Sequence, residues 1–150
     1  DTPDAPPVID EESLIYSQQA VKVVPASAEY VATENDMEDK DFDVKFYDSK
    51  ARTAYEVEVS KATGEVREYK MELKGYEGSP NAVLSVEDVK QIVLKEYPDA
   101  AFKAVKLDVD KETGLKEYDV KFSTKAVIGD YDINPENGQV VEKDIRYIGK

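Results

Sequence analysis

The chain repeats itself at a spacing of 73 to 76 residues, and an internal duplication constrains the fold more tightly than any composition figure. Phe42-Asp43-Val44-Lys45-Phe46 returns as Tyr118-Asp119-Val120-Lys121-Phe122, Val57 to Val66 returns as Tyr131 to Val140, and the stretches ending at Pro25 and Pro98 correspond. Copies that differ only by short insertions place those insertions in loops. The expected organisation is an extended linker over residues 1–11, a first unit over 12–74, a connector over 75–83 rich in glycine and proline, and a second unit over 84–150.

Within each copy the apolar period changes once. Ser85 and Asp88 form an S-x-x-D capping signal, and Val86, Val89, Ile92, Val93 and Tyr97 make one apolar stripe that Pro98 closes, which predicts a helix. Leu14, Ser17, Val21 and Val24 before Pro25 are a poorer version of the same pattern. The period then drops to two, the mark of strands with one face buried. Val105, Leu107 and Val109 alternate with charged residues, followed by Tyr118, Val120 and Phe122, by Tyr131 and Ile133, and by Val141, Ile145 and Tyr147. The first copy repeats this with Tyr30, with Phe42, Val44 and Phe46, with Tyr55, Val57 and Val59, and with Tyr69, Met71 and Leu73. Gly64, Gly114 and Gly138 fall where tight hairpins require positive φ, so neighbouring strands are antiparallel. The expected fold class is α+β: two similar units, each one α-helix packed on a four-stranded antiparallel β-sheet.

Composition removes several functions. With 33 acidic against 20 basic residues and a formal charge of −13, the chain repels phosphate backbones, so nucleic acid is not an expected partner. There is no histidine and no cysteine, which excludes the usual catalytic triad, thiol chemistry and thiolate zinc sites. No Ser-x-x-Lys pair sits on a predicted helix, and the chain is not expected to be an enzyme. No apolar run approaches the ~20 residues of a membrane span. The opening Asp1-Thr2-Pro3-Asp4-Ala5-Pro6-Pro7-Val8 has the character of a proline-rich spacer, which leads to the expectation of a mature segment whose targeting signal was removed, with any membrane attachment through that lost anchor.

Two candidate sites remain. Oxygen-only ligation of calcium is chemically open, and the loop from Glu34 to Asp41 offers Asp36, Glu38, Asp39 and Asp41. The stretch from Asp108 to Gly114 opens like an EF-hand but has Thr113 where glycine is needed and Asp119 where the bidentate glutamate is needed, so it is assigned to a plain hairpin turn. Most tyrosines fall at alternating strand positions and are expected in the sheet; Tyr76, in the connector, is the candidate contact residue for a partner. Lys50, Lys70, Lys121, Lys125 and Lys143 are placed to protect strand edges.

A helix ending in proline, then a strand of the form [FY]-D-V-K-F, then a hairpin ending in glycine and valine, resembles the PepSY domain. The second copy carries the likeness in Val86 to Pro98, Tyr118 to Phe122 and Tyr131 to Val140, and the first in Phe42 to Phe46 and Tyr55 to Val66. The resemblance implies a tandem PepSY protein of bacterial origin, extracellular or associated with the cell envelope, with no catalytic residues and no cofactor. It also implies a protein partner, a protease among the candidates, which the chain restrains or assists as the propeptides of thermolysin-like metalloproteases do. The alternative is an acidic calcium-binding or passive structural module of the envelope.

Overall fold

A computed structural model describes residues 18–149. The expected linker, and Leu14 and Ser17 of the first helical pattern, lie outside the described residues. Eight strands and one full helix make up the described chain: β1 (Glu29–Glu34), β2 (Asp41–Asp48), β3 (Thr53–Ser60), β4 (Val66–Leu73), α1 (Val86–Glu96), β5 (Ala101–Val109), β6 (Lys116–Ser123), β7 (Val127–Ile133) and β8 (Val140–Tyr147). A short helical stretch at residues 18–21 precedes β1.

The expectation of two units, each one helix on its own four-stranded sheet, is corrected. The protein is mostly β, with strand order β1-β2-β3-β4-β8-β7-β6-β5 in one eight-stranded sheet. Alternation and short turns dictate which strands follow one another in a meander, but they do not specify what satisfies the outer edge of its last strand. An open row of N–H and C=O groups is costly wherever water is excluded, and a neighbouring strand satisfies it.

Two compact units meet in the chain between Tyr69 and Lys70. In the first, β2 and β3 pair in strict register from Asp41↔Ser60 to Asp48↔Thr53, and their inward residues Phe42, Val44, Phe46, Tyr55, Val57 and Val59 are buried. Asp48 shapes the turn between them, accepting hydrogen bonds from the amides of Lys50 (3.1 Å) and Ala51 (3.0 Å) and from the Ser27 hydroxyl (2.7 Å). These bonds favour the ionised form and hold the carboxyl below its ordinary pKa.

The second unit places α1 over β5 to β8. Its capping box forms as the sequence predicts: the Asp88 amide donates to Ser85 Oγ (3.1 Å) and the Ser85 amide donates to the Asp88 carboxylate (2.9 Å). Val89 and Val93 are completely buried, whereas Val86 at the helix start is exposed. Beneath the helix, Phe122 sits between Tyr97 (ring centroids 5.4 Å) and Tyr131 (5.2 Å, edge to face). Gly129 is opposite Phe122 in the β6–β7 register, and any Cβ there would overlap the Phe122 ring. The helix end is tied to the sheet through Glu96, which accepts the Tyr131 hydroxyl proton and pairs with Lys143 at 3.4 Å.

The connector is stitched down by its backbone. Ser79 exchanges two hydrogen bonds with Lys116 (2.9 and 2.7 Å), and the amides of Val83 and Leu84 both donate to the Pro135 carbonyl.

Candidate functional site

Alternation leaves every second strand residue on the sheet face away from α1, and most of the side chains there are charged. In the second unit, registers set Asp119 of β6 directly opposite Asp132 of β7, Asp132 opposite Glu142 of β8, Asp108 of β5 opposite Glu117 of β6, and Lys121 opposite Asp130. Carboxylate oxygens of Glu117, Asp132 and Glu142 come within 4.8 Å of one another, as do those of Asp119, Asp130 and Asp132. Lys121 partly neutralises one end, with its ammonium 2.7 Å from Asp130 and 3.4 Å from Asp119. A groove of about 420 Å³ opens beside it, lined among others by Lys103, Ile128 and Arg146.

Like charges held opposite one another resist full ionisation. Burial, reinforced by a hydrogen bond to Glu142 and by the charges of Glu117, Glu142 and Asp119, pushes Asp132 up to about 9. Burial and the adjoining Asp130 raise Asp119 to about 6. Glu117 is raised by burial and by the charges of Glu142 and Asp108. Burial acts on Asp130 as well, but its hydrogen bonds to Asp119 and Lys121 outweigh that and bring it below the ordinary value, so as pH falls Asp119 is the first of this pair to take up a proton. Asp119 Oδ1 is buried and meets no hydrogen-bond donor among the described residues.

The first unit carries the same arrangement. Asp43 faces Glu58 and Lys45 faces Glu56 across β2 and β3, and Lys45 pairs with Glu34 at 2.8 Å. Asp43 is raised by burial and then by Glu56, Glu34 and Asp39.

The expected calcium ligands are placed as follows. Asp36, Glu38 and Asp39 lie exposed in the turn between β1 and β2, where the Asp36 carboxylate accepts the Glu38 amide (3.0 Å) and the Asp36 carbonyl accepts the Lys61 ammonium (2.6 Å). Asp41 stands at the start of β2, 3.7 Å from Arg67. Among the described residues, the two places where three carboxylates converge are those on β6, β7 and β8. Tyr76 is half-buried, its hydroxyl 2.8 Å from Ser79 Oγ, which in turn donates to Asn134 at 2.8 Å. The Asp110 carboxylate caps its turn through the amides of Glu112 (2.8 Å) and Thr113 (3.1 Å), and Gly114 has φ 73°. The acid pairs across the outer face escaped the sequence reading. Their signal was D-x-K on one strand followed by D-x-D on its hairpin partner.

This geometry defines a β-sheet domain with an acidic outer face and a helix on the other side. A PepSY domain, described as peptidase propeptide and YPEB domain, is found at residues 83–144. Two solved structures align along most of the chain. One is a candidate lipoprotein from Clostridium difficile 630, 17% identical, covering 92% of this chain and 93% of that one with a TM-score of 0.37. The other is a BLIP-like protein from Bacteroides fragilis NCTC 9343, 13% identical, covering 90% and 86% with a TM-score of 0.32. At such scores neither carries a functional argument. A comparison with curated proteins returns no match. No helix among the described residues is long and apolar enough to cross a membrane.

Proposed function

We propose that the chain is a non-catalytic binding module of the cell exterior or envelope that restrains or assists a protein partner, with a protease as the leading candidate. The PepSY domain at residues 83–144 carries this reading, since peptidase propeptides give that family its description. The outer face of β6, β7 and β8 supports it. Its carboxylates are displayed from rigid strands and are only partly compensated by Lys121, so a surface bearing lysine or arginine would relieve their mutual repulsion. The test is proteolysis in culture supernatant and envelope extract, with and without the chain, alongside recovery of any bound protease. Glu117→Gln with Glu142→Gln is expected to weaken both effects. Unchanged proteolysis with no protease recovered sinks the proposal.

The first unit is proposed to be a diverged copy of the same module. A bulge interrupts β1 at Tyr30/Ala32 and β5 at Phe102/Ala104, and the hairpin of Ser60 to Glu65 has the hydrogen bonds of the hairpin of Asn134 to Gln139. If related sequences aligned half against half no better than unrelated meanders do, the copy reading would fail.

Cation binding is a second reading, favoured by the convergence of Glu117, Asp132 and Glu142. Calcium would then raise the thermal midpoint, and Asp132→Asn would remove the rise; Asp36→Asn tests the β1–β2 loop in the same way. A midpoint unmoved by millimolar calcium disposes of it.

A further inference from the structure

Strand β5 ends the sheet order, and its outer edge faces no other strand among the described residues. It is the longest strand, at nine residues, and after the bulge at Lys103 it runs regularly from Ala104 to Val109. The direction of its free backbone groups follows from the hairpin. The Asp110 amide donates to the Leu115 carbonyl and the Asp110 carbonyl accepts the Gly114 amide, so the groups of Asp110 point toward β6. By alternation those of Asp108 and Lys106 do the same, and those of Val105, Leu107 and Val109 point outward. Lys116 confirms this parity: it lies opposite Val109 but spends its own amide and carbonyl on Ser79.

The free edge has two unusual properties. Leu107 and Val109 face the helix side yet are 39% and 50% exposed. Lys106 and Asp108, facing the other side, form no salt bridge among the described residues. The segment Val105-Lys106-Leu107-Asp108-Val109 is also complementary to itself when reversed.

We infer that β5 pairs antiparallel with β5 of a second copy of this chain about a twofold axis at Leu107. Only residues with outward backbone groups can exchange hydrogen bonds, which restricts the twofold axis to registers centred on a residue and excludes those centred between two. Centred on Leu107, Val105 meets Val109 of the partner subunit, Leu107 meets its counterpart, and Lys106 meets Asp108 of the partner subunit on both sides. Centring on Lys106 sets lysine against lysine, centring on Asp108 sets aspartate against aspartate, and centring on Val109 sets Asp108 against Asp110 of the partner subunit. Like charges directly opposite are unfavourable in a sheet, whereas opposite charges and apolar pairs are favourable. The Leu107 register alone gains both, and it covers the two exposed apolar side chains. Of the features that guard a free edge, the bulge lies at the far end of this stretch, and the charge of Lys106 is met by aspartate in the Leu107 register.

Sedimentation equilibrium of the full chain over a range of concentrations tests the inference, with circular dichroism confirming that each variant is folded. Wild type is expected to self-associate reversibly. Lys106→Glu sets glutamate against aspartate and Asp108→Lys sets lysine against lysine, so each variant alone is expected to associate about tenfold more weakly or worse. An equimolar mixture of the two variants restores opposite charges at both positions, and is expected to form a heterodimer as strong as the wild-type pair. A wild type that stays monomeric to millimolar concentration, variants that associate as wild type does, or a mixture that fails to associate would each overturn the inference.

Discussion

Asp132→Asn removes the group on which the outer-face repulsion converges, and the size of its effect depends on pH. In the unfolded chain this carboxyl ionises near its ordinary value of 3.8; in the folded protein it does so at about 9, because burial and the nearby Glu142, Glu117 and Asp119 oppose the charge. Between those limits the folded state keeps a proton that the unfolded state has lost, so unfolding releases a proton and stability falls as pH rises. The stabilisation is complete below about pH 4 and exhausted above about pH 9. At about 1.4 kcal/mol per pH unit the full gap would correspond to about 7 kcal/mol, a ceiling for a fully shielded group. The Asp132 side chain lies on a face that water still reaches, and screening there reduces the expected loss to about 2 kcal/mol. Asparagine keeps the shape and cannot titrate. Urea unfolding at about pH 5, 7 and 9 is expected to show wild type losing about 2 kcal/mol more than the variant across that range. The variant should retain a smaller slope near pH 4 to 6, because Asp119 and Glu117 are raised by the same causes. Parallel profiles for the two proteins would refute the argument that these carboxylates are held against their mutual repulsion.

Gly129→Ala is expected to cost about 1 to 3 kcal/mol, since its Cβ would overlap the Phe122 ring, and combining it with Phe122→Leu should recover part of that loss in the same unfolding assay. Ser85→Ala removes the acceptor for the Asp88 amide and should lower stability by about 1 kcal/mol, whereas Ser85→Asp should lose much less. Tyr131→Phe removes the hydroxyl that donates to Glu96 and is expected to cost about 1 kcal/mol, measured as a lower urea midpoint with an unchanged slope.

What the sequence made legible was local. The cap at Ser85, the helix stop before Pro98 and the inward rows of β2, β3, β6 and β7 follow from spacing alone, because side-chain period and turn chemistry are properties of neighbouring residues. Leu107 and Val109 show where that reasoning stops. Alternation places them on the helix-facing side, yet they stay exposed there, and a period says nothing about what covers a face. The stitching of Ser79 to Lys116 was hidden for another reason, since backbone hydrogen bonds leave no side-chain signature. The acid pairs needed the cross-strand register, which becomes known only once each hairpin is closed, and the single sheet needed knowledge of which outer edges meet.

The contrast between two charged surfaces of the second unit argues that they serve different ends. On β5, lysine and aspartate alternate in sign at Lys106 and Asp108, the arrangement that suits pairing with an identical strand. Across β6, β7 and β8, acid stands opposite acid at Asp119↔Asp132 and Asp132↔Glu142, an arrangement that costs stability in the isolated fold. Solubility alone does not call for that cost, because charges of mixed sign on the same strands would keep the surface equally wet while supporting the sheet. The first unit sets Asp43 against Glu58 in the same way. A repulsion built into the strands of both units is relieved most directly by cations brought from outside, the role that the proposed function gives to a basic partner surface. Raising the ionic strength should therefore stabilise the free protein and, on the function proposed above, weaken its complex with a basic partner, two opposite responses that come from the same carboxylates.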